Sequence, residues 1–397
     1  MSEHTPGERV AAIRERRGLT QIELARLAHV SVSTVSKAER GEITPRLETL
    51  HKMARVLRVN TSALTDPERP EPAEAVPAEK WDDVRAALYR PAPPGDGEPP
   101  TEAGVLAVIG SLTAPGGPLA LNRYGRVRAV LPGLIRDAAA LGEDGRLAQS
   151  RAYNLSAWLL TMTRQWDDAA AAARLALDAA PDLADEGAAV STTLWLMLRQ
   201  GMIAPAGALA QEWASDHQPS MLRSPPSHLA AFGKVMLYAV NAAVRDNQPG
   251  EAEDALRKAR AAAVLIGREV ALDSSTTRTF GPASVEMIAA ENAAIQERPE
   301  RVIAVTERIP RAGLLHAQSA SRLRSGLDVA NARVMLRQGE QAMDELDAIR
   351  AEAPEWLREQ RYARDVTAAL GALWKRRRPE RFRVIADAVQ LPCQPFY

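Results

Sequence analysis

Apolar residues recur along this chain at the three- and four-residue spacing of amphipathic helices, and no segment alternates as a half-buried strand would. Short helical patterns fill residues 1–66. From Thr101 to Val389 the chain is rich in Ala and Leu and is interrupted by Gly or Pro roughly every 15–25 residues. Between these regions, residues 67–100 hold nine of the 27 prolines, which predicts a semi-rigid linker with one helix from Ala78 to Tyr89. We therefore predict an all-α protein with four parts: a small helical domain (1–66), a Pro-rich linker (67–100), a larger helical domain (101–392) and a tail (393–397).

The larger domain contains a repeated pair of helices, about 34 residues long. In its clearest copy the small residues Ala169, Ala173 and Ala176 are followed by Pro181, at the offsets of a tetratricopeptide repeat. Small side chains permit two helices to approach closely, and the proline ends the second helix before the next pair. We predict a tetratricopeptide-like solenoid; because alanine at this spacing also suits any helical bundle, a generic bundle is the alternative. Four further segments repeat the pattern, two clearly (Val235–Ala259 and Leu323–Pro354) and two loosely (Val190–Ser215 and Ser284–Pro310).

The first sixty residues carry the signals of a helix-turn-helix. Thr5-Pro6-Gly7-Glu8 is a capping box with Pro at the first helical position, and it opens a helix that Gly18 ends. A second helix starts at Thr20-Gln21-Ile22-Glu23, and His29-Val30-Ser31 joins it to a third. A fourth helix, Leu47 to Leu57, closes the small core. Two short helices joined by about three residues are the helix-turn-helix arrangement.

The third helix divides into a buried face and an outer face. At 100° per residue, Val35 and Ala38 point toward the core, while the outer face is short, polar and cationic. Residues 1–60 hold 11 Lys and Arg against 7 Asp and Glu, in a protein whose total charge is zero. Such a face suits the major groove of DNA, where Lys37 reaches guanine acceptors and Val32 a thymine methyl group. An ordinary solvated face is the alternative, and the local positive charge argues against it. The outer face consists of Val32, Ser33, Ser36, Lys37 and Arg40.

Residues 7–66 closely resemble the Xre/Cro-type helix-turn-helix of bacterial and phage repressors. The resemblance is carried by Leu19-Thr20-Gln21, Glu23-Leu24-Ala25, Val30-Ser31, Ser33-Thr34-Val35-Ser36-Lys37, Glu39-Arg40-Gly41 and Pro45. His29 stands where that family usually has Gly in a left-handed turn, and histidine tolerates this conformation at the cost of strain. The resemblance implies that Gln21 contacts a phosphate, that Val32, Ser33 and Lys37 read bases, that Arg40 and Arg46 touch the backbone or minor groove, and that Arg14 and Glu39 form a buried ion pair.

Taken whole, the chain resembles actinobacterial regulators that join an amino-terminal Xre-type domain to a tetratricopeptide-like domain. The segment Thr279-Phe280-Gly281-Pro282 looks like part of the recurring body of that group, as do Leu327-Asp328 and Arg337-Gln338-Gly339. The resemblance implies transcriptional regulation through a double-stranded DNA operator. A small module contacts few bases, so we expect a homodimer that reads two half-sites. A more distant similarity links this layout to peptide-sensing regulators of the Rap/Rgg/PlcR type.

The concave face of a solenoid, formed by the first helix of each pair, is the expected place for an effector. Asn241 and Asn331 each lie 11 residues before a small residue of the second helix, so both occupy the same slot. In the first copy that slot holds Trp158, with Asn154 one turn earlier. An asparagine amide both donates to and accepts from a peptide backbone, and a tryptophan adds apolar contact area. These four residues predict a groove for a peptide or small-molecule effector; an unliganded scaffold or dimer surface is the alternative.

Other chemistry is not indicated by the sequence. The chain has 50 Lys and Arg against 50 Asp and Glu, and its single cysteine, Cys393, cannot form an intrachain disulfide or a Cys-based zinc site. The six His show no metal-ligand spacing, and no phosphate-binding glycine loop follows a strand. We expect no enzymatic activity, no metal and no cofactor. A catalytic site hidden in the larger domain, or a repeat scaffold with only weak DNA binding, are the alternative functions.

The location is predicted from the absence of membrane and export signals. The uncharged run from Ala103 to Asn122 contains Pro115 and Pro118, which would stop a spanning helix, so we expect a short buried helix followed by a loop. Residues 1–9 lack the apolar stretch of a secretory signal. We therefore expect a cytoplasmic protein with no membrane partner. The basic run Trp374–Arg378 is interpreted as a solvated helix end.

Overall fold

A computed structural model describes residues 5–65, 81–90, 99–220, 223–273, 275–309, 320–374 and 379–391. The described part is all-α, as predicted, with one exception. Two-residue strands β1 (Val270–Ala271) and β2 (Thr279–Phe280) form an antiparallel hairpin, with Val270 opposite Phe280. No strand was predicted from the sequence, and this prediction was wrong, because a strand of two residues is too short to show an alternating pattern.

The small domain consists of four helices and a short 3₁₀ turn. The helices are α1 (Pro6–Arg16), α2 (Gln21–Leu27), α3 (Val32–Glu39) and α4 (Leu47–Leu57), and the turn spans Thr61–Ala63. The predicted capping boxes start α1 and α2: Thr5 accepts a hydrogen bond from the Glu8 amide at 3.2 Å, and Thr20 accepts one from the Glu23 amide at 3.2 Å. Its core is formed by Val10, Leu24, Val35, Leu50, Met53, Leu57 and Leu64, all of them buried.

The linker helix packs on the larger domain. Helix α5 (Asp82–Tyr89) contacts α7 (Tyr124–Ala140) and α9 (Trp166–Ala179) through Val84 and Leu88, and Trp81 precedes it in the same core. Arg85 pairs with the buried carboxylate of Asp168 at 2.9 Å. The sequence left open which domain receives this helix. Residues 67–80 and 91–98 of the predicted linker lie outside the described residues.

Five consecutive helix pairs make up the body of the larger domain. The first helices, α8, α10, α12, α14 and α16, each pack against the next. Four of the second helices pack between two first helices, and the last, α17, packs against α16 and the helices that follow it. This is the architecture of a tetratricopeptide-like solenoid. The pairs are α8 (Arg146–Met162) with α9, α10 (Leu183–Arg199) with α11 (Ile203–Asp216), α12 (Pro226–Arg245) with α13 (Pro249–Ile266), α14 (Pro282–Ile295) with α15 (Pro299–Thr306), and α16 (Ala320–Met335) with α17 (Gly339–Glu352).

The predicted small residues lie at the helix contacts of these pairs. Ala169, Ala173 and Ala176 on α9 are buried, as are Ala259 on α13 and Ala342 on α17. Helix α6 (Glu102–Thr113), with α7, precedes the pairs, and α18 (Pro354–Glu359), α19 (Arg361–Gly371) and α20 (Glu380–Ala388) follow them. Helix α6 ends before Pro115, as the sequence predicts for this apolar run.

All five pairs share one turn geometry. The second residue after each first helix has a left-handed backbone, and the residue after it donates a backbone hydrogen bond to the carbonyl five residues earlier, at 2.8–2.9 Å. This is the hydrogen bond that closes a Schellman-type helix end. Identical turns give the pairs a common orientation, so the five turns follow one another along the solenoid. The left-handed residues are Arg164, Gly201, Asn247, Glu297 and Arg337.

The solenoid closes on itself. The side-chain amide of Gln360, just after α18, lies 3.6 Å from the sulfur of Met162 on α8. The early helices α5–α9 and the late helices α16–α20 share one hydrophobic core. The concave face is therefore narrowed to a chamber between the early and the late helices.

Candidate nucleic-acid interface and the solenoid chamber

The outer face of α3 is exposed to solvent. Ser31 caps the helix by accepting a hydrogen bond from the Thr34 amide at 2.9 Å, and Val35 and Ala38 are buried below it. Val32 is 43% exposed, and Ser33 and Lys37 are exposed beside it. The face that the sequence predicts to read bases is thus accessible along its whole length.

Arg40 is held on this face by two neighbours. It donates to the Ser36 hydroxyl at 2.7 Å and to the Glu42 carboxylate at 2.6 Å. The hydrogen bond from Arg40 lowers the pKa of Glu42. Glu42 was not singled out from the sequence, and it offsets the charge that Arg40 brings to the face.

A buried network ties α3 to α1 and α2. Arg14 donates to both carboxylate oxygens of Glu39, at 2.6 and 2.8 Å, and to the Leu19 carbonyl at 2.8 Å. The bond to Glu39 raises the pKa of Arg14. Gln21, predicted to touch a phosphate, donates to Glu39 at 2.7 Å. The network therefore fixes Gln21 at the start of α2 and sets the angle of α3.

The turn between α2 and α3 has the strained conformation expected of it. His29 has a φ of +53°, in the left-handed region.

Arg46, the residue before α4, is exposed, and its guanidinium lies 3.6 Å from the Asp365 carboxylate on α19. Arg46 therefore lies both at the start of α4 and next to the larger domain.

The small domain docks on the edge of the solenoid through α4 and the 3₁₀ turn. His51 lies 2.9 Å from the Arg245 carbonyl oxygen, and the Ser62 amide and hydroxyl donate to the two carboxylate oxygens of Asp246, at 2.7 and 3.1 Å. The side-chain amide of Asn247 donates to the Val59 carbonyl at 3.2 Å. These partners are the last residue of α12 and the first two residues of the turn that follows it.

Two neighbouring turns complete this docking surface. Lys52 and Arg55 on α4 pair with Glu297 in the turn between α14 and α15, at 3.0 and 3.4 Å. On the other side, a crevice of about 510 Å³ lies between residues 59–65 and the turn at Gly201–Pro205. The domain is thus bound to two successive turns of the repeat and faces a third across the crevice.

The chamber inside the solenoid has aromatic and apolar walls. Trp158 and Trp195 stack with ring centroids 5.9 Å apart and planes at 26°. Trp356 closes one side. The cavity has a volume of about 180 Å³, and its other apolar residues include Met162, Leu237, Tyr238, Met287 and Ile288.

Two of the four residues predicted for an effector groove line this chamber, and two do not. Trp158 and Asn241 belong to the lining. Asn154 lies deeper: its amide nitrogen donates to Asp273 and Ser275, both at 2.9 Å, and its oxygen accepts from Thr192 at 2.5 Å. Asn331 lies outside the lining, half-buried beside Met335. Asn154 therefore holds the loop after β1, and the common slot does not bring the four residues together.

The chamber also contains charged residues that the sequence analysis missed. Burial and the nearby Arg278 lower the pKa of Lys234 to about 8. Burial, together with neighbouring cations such as Arg164 and Arg324, lowers the pKa of Arg199 to about 10. The sequence did contain one signal of this charged site, because Lys234 is a single lysine inside the apolar run 229–243. The charged lining residues are Arg199, Lys234, Arg245, Arg278, Arg324, Glu291 and Asp328.

Residue Arg278 reaches the chamber because of the hairpin. Phe280 packs directly on Gly233 of α12, and Glu269 fixes the hairpin to α14 by accepting from the amides of Ala283 and Ser284 at 2.8 and 3.1 Å. Arg278 then donates to the Thr192 hydroxyl at 2.6 Å. The hairpin is thus a structural part of the chamber wall.

Three further features considered in the sequence are a metal site, a membrane-spanning helix and the basic run near the carboxy terminus. The described residues contain no group of His, Cys, Asp and Glu arranged to hold a metal ion. In the same part of the chain, no helix combines the length and the apolar character needed to cross a membrane. The basic residues 375–378 and Cys393 lie outside the described residues.

Comparison with known proteins identifies the small domain. Residues 10–64 match the family model described as helix-turn-helix. The immunity repressor protein of Bacillus phage phi105 is 41% identical over 64 residues, which are 16% of this chain and 44% of the repressor. The HTH-type transcriptional regulator PuuR of Escherichia coli K12 is 32% identical over 72 residues, 18% of this chain and 39% of PuuR. The chain thus spans less than half the length of the curated relatives it matches.

Among solved structures, the chain is similar to the crystal structure of Bacillus thuringiensis PlcR in complex with the peptide PapR7 and DNA. The TM-score is 0.34 at 13% identity, covering 77% of this chain and 95% of PlcR. Taken with the four-helix geometry of residues 5–65, the family match over residues 10–64 shows that the amino-terminal domain of this protein is a helix-turn-helix domain.

Proposed function

We propose that this protein is a sequence-specific DNA-binding transcriptional regulator that acts in the cytoplasm, without catalytic activity. The observation that carries the proposal is the accessible outer face of α3 in a domain that matches the helix-turn-helix family. In this arrangement Lys37 and Ser33 meet base edges and Val32 meets a thymine methyl group. Arg40 and Arg46 bind the DNA backbone, and Gln21 binds a phosphate at the start of α2.

Arg40 and Arg46 each have a carboxylate partner in the DNA-free protein, Glu42 and Asp365. Both pairs are exposed, so each contributes little to stability and exchanges readily for a phosphate. Arg46 is the more informative of the two about domain docking, because its release from Asp365 removes a contact between the start of α4 and the larger domain.

The larger domain is proposed to form a homodimer and to sense an effector. One helix-turn-helix reads a short half-site, and two copies held by a two-fold axis read half-sites one helical turn or a multiple of it apart. Effector binding is proposed to act on the docking surface, because the end of α12 contributes Arg245 to the chamber and its next residue, Asp246, binds Ser62. The linker is then a tether rather than the main route of coupling.

A selection of genomic DNA fragments with the purified protein tests this function. We expect a two-fold symmetric site and a binding constant that falls with salt with a log–log slope of several units. Weak binding without sequence preference at every salt concentration would contradict the regulator and favour a scaffold. Sedimentation of the protein with one operator duplex gives the stoichiometry, for which we expect two chains per duplex.

A further inference from the structure

The chamber has more positive than negative groups. Five cations, on α10, α12, the hairpin and α16, face two carboxylates, Glu291 and Asp328. Both carboxylates are already used: Glu291 pairs with Arg245 at 2.7 Å and with Arg324 at 3.7 Å, and Asp328 pairs with Arg324 at 3.4 Å. The remaining three cations have no carboxylate within ion-pair distance in the described chain. They are Arg199, Lys234 and Arg278.

Two of these cations, Lys234 and Arg278, are nevertheless held in place by hydrogen bonds. Lys234 donates to the Thr279 carbonyl at 3.1 Å and lies 5.9 Å from the Tyr238 ring centroid. Arg278 donates to Thr192 and to the Ala188 carbonyl at 3.1 Å. A buried cation that no protein carboxylate pairs with attracts an anion more strongly than an exposed cation does.

Five buried polar atoms in the same wall have no hydrogen-bond partner. They are a guanidinium nitrogen of Arg278, the indole nitrogen of Trp356, the side-chain oxygen of Asn241, the hydroxyl of Ser325 and one carboxylate oxygen of Asp328. The Arg278 and Trp356 nitrogens donate, the Asn241 and Asp328 oxygens accept, and the Ser325 hydroxyl does either. Buried polar groups are normally satisfied, so the wall is complementary to a molecule with acceptors for Arg278 and Trp356 and with an N–H or O–H donor for the acceptor oxygens.

The size and walls of the chamber limit that molecule further. A volume of about 180 Å³ corresponds to roughly ten to twenty water positions, hence to a molecule of about that many heavy atoms. The stacked Trp158 and Trp195 and the side chain of Met287 favour a flat or aliphatic body.

We propose that the chamber binds a small amphipathic organic anion: an acidic group held by Lys234, Arg199 and Arg278, an apolar body between the tryptophans, and an N–H group that donates to Asn241. The acidic group is a carboxylate, either of a free acid or of a peptide carboxy terminus. The site itself stands on its own geometry, and only its role as an effector site rests on the proposed function. An anion that draws Arg245 away from Glu291 moves the end of α12, which carries the contacts to His51 and Ser62.

Two fluorescent probes of the same shape test the charge requirement. The probe 1-anilinonaphthalene-8-sulfonate has an anionic group, an aromatic body and an N–H, and N-phenyl-1-naphthylamine has the same body without the anion. We expect saturable binding of the sulfonate at one site per chain, at least tenfold tighter than the neutral probe. Equal affinity of the two probes would overturn the proposal.

Variants locate the probe in the chamber. Lys234→Met and Arg199→Met are each expected to weaken sulfonate binding about tenfold or more and to change binding of the neutral probe less than about threefold. Lys258→Met, on the exposed side of α13, is the matched control and should change neither. Unchanged sulfonate affinity in both chamber variants, with melting temperatures equal to wild type, would overturn the proposal.

Displacement of the sulfonate distinguishes the two sources of a carboxylate. A pool of short peptides with free carboxy termini is compared with the same pool amidated, and both with 4-phenylbutyrate. Displacement by the acid pool alone identifies a peptide terminus, displacement by phenylbutyrate alone identifies a free acid, and displacement by neither contradicts the proposal. These assays contain no DNA, so they are independent of operator binding. Loss of probe binding with intact operator binding refutes only this inference. Probe binding without operator binding refutes only the proposed function.

Discussion

The imidazole of His51 in the helix-turn-helix domain lies 2.9 Å from the backbone carbonyl oxygen of Arg245, whose own side chain lines the chamber of the solenoid. Because a carbonyl oxygen only accepts, the His51 Nδ1 carries the proton in this contact. Burial lowers the pKa of His51, which keeps the ring neutral. One residue of α12 therefore takes part in both the candidate effector site and the attachment of the small domain.

The residue Lys37 gives the most direct test of base reading. Lys37→Ala is expected to weaken binding to the selected operator by about 1–3 kcal/mol and to change binding to unrelated DNA much less. Titration of labelled duplexes at fixed salt measures both. The control, Lys258→Ala, removes an exposed lysine from α13. An equal loss on every sequence would assign Lys37 to the backbone instead.

Breaking the Arg14–Glu39 pair is expected to destabilise the helix-turn-helix domain alone. Glu39→Gln leaves the buried guanidinium without its carboxylate, which costs about 3 kcal/mol. Residues 1–66 contain no tryptophan, tyrosine or phenylalanine, so amide hydrogen exchange of α1 and α3 is the suitable measurement. Glu42→Gln removes the exposed partner of Arg40 and should cost less than about 1 kcal/mol. Similar effects of the two substitutions would contradict the assigned burial of the Arg14 pair.

The docking contact at Asp246 makes a prediction for one amide. In the wild-type chain the Ser62 amide donates to Asp246, so Asp246→Ala should speed its hydrogen exchange about tenfold or more. Asp254→Ala on the exposed side of α13 is the control and should leave Ser62 unchanged. If Ser62 exchanges equally fast in all three proteins, the small domain is not docked in solution.

The glycine at position 233 permits the hairpin to pack. A Cβ there would overlap the ring of Phe280, so Gly233→Ala is expected to destabilise the larger domain by about 1–3 kcal/mol and to shift Arg278. Urea unfolding followed by tryptophan fluorescence gives the stability. Gly250→Ala meets no atom within 4 Å on α13 and should stay within about 1 kcal/mol of wild type. A neutral Gly233→Ala would mean that the hairpin moves freely.

The probe affinity of the chamber should depend on pH through Lys234. As pH rises from about 7 to about 9, Lys234 with its pKa near 8 loses its charge, so sulfonate binding weakens, and Lys234→Met should lack this step. Asp328 titrates at a lower pH than Lys234 does, although burial raises the pKa of Asp328 to about 6. The charged groups around Lys234 are Arg278, Glu269, Glu291, Arg199, Arg245 and Arg324.

The contribution of Lys234 to stability changes with pH in the opposite direction from its contribution to probe binding. The folded pKa of Lys234 lies below its ordinary value of 10.5, so between these values the unfolded chain binds more protons. The free energy of unfolding therefore gains from Lys234 as pH rises through this window, relative to Lys234→Met. A wild-type profile parallel to that of the variant would contradict a buried Lys234.

The small domain was largely predictable because its signals are local. Capping residues such as Thr5 and Thr20 lie three residues from their partners, and the inward residues Leu24 and Val35 follow from helical periodicity. The roles of Gln21, Lys37 and Arg46 in DNA binding remain predictions.

The chamber was not predictable, because contacts distant in sequence build it. Asn154 shares a periodic slot with Asn241 by sequence, yet it is satisfied by Asp273 and Ser275, about 120 residues away. The hairpin that supplies these partners is too short to leave a periodic signal. Periodicity assigns a residue to a helix face, but only packing decides what that face meets.

The shared turn geometry of the five helix pairs has a mechanical consequence. The helix-turn-helix domain is bound to two consecutive turns and faces a third across a crevice, and the separations of these turns are set by the pitch of the superhelix. A change in pitch alters all of these separations together, and a rigid four-helix domain cannot follow them. Docking therefore responds to the pitch of the whole solenoid, and a ligand at any repeat that changes the pitch has the same effect as one beside α12.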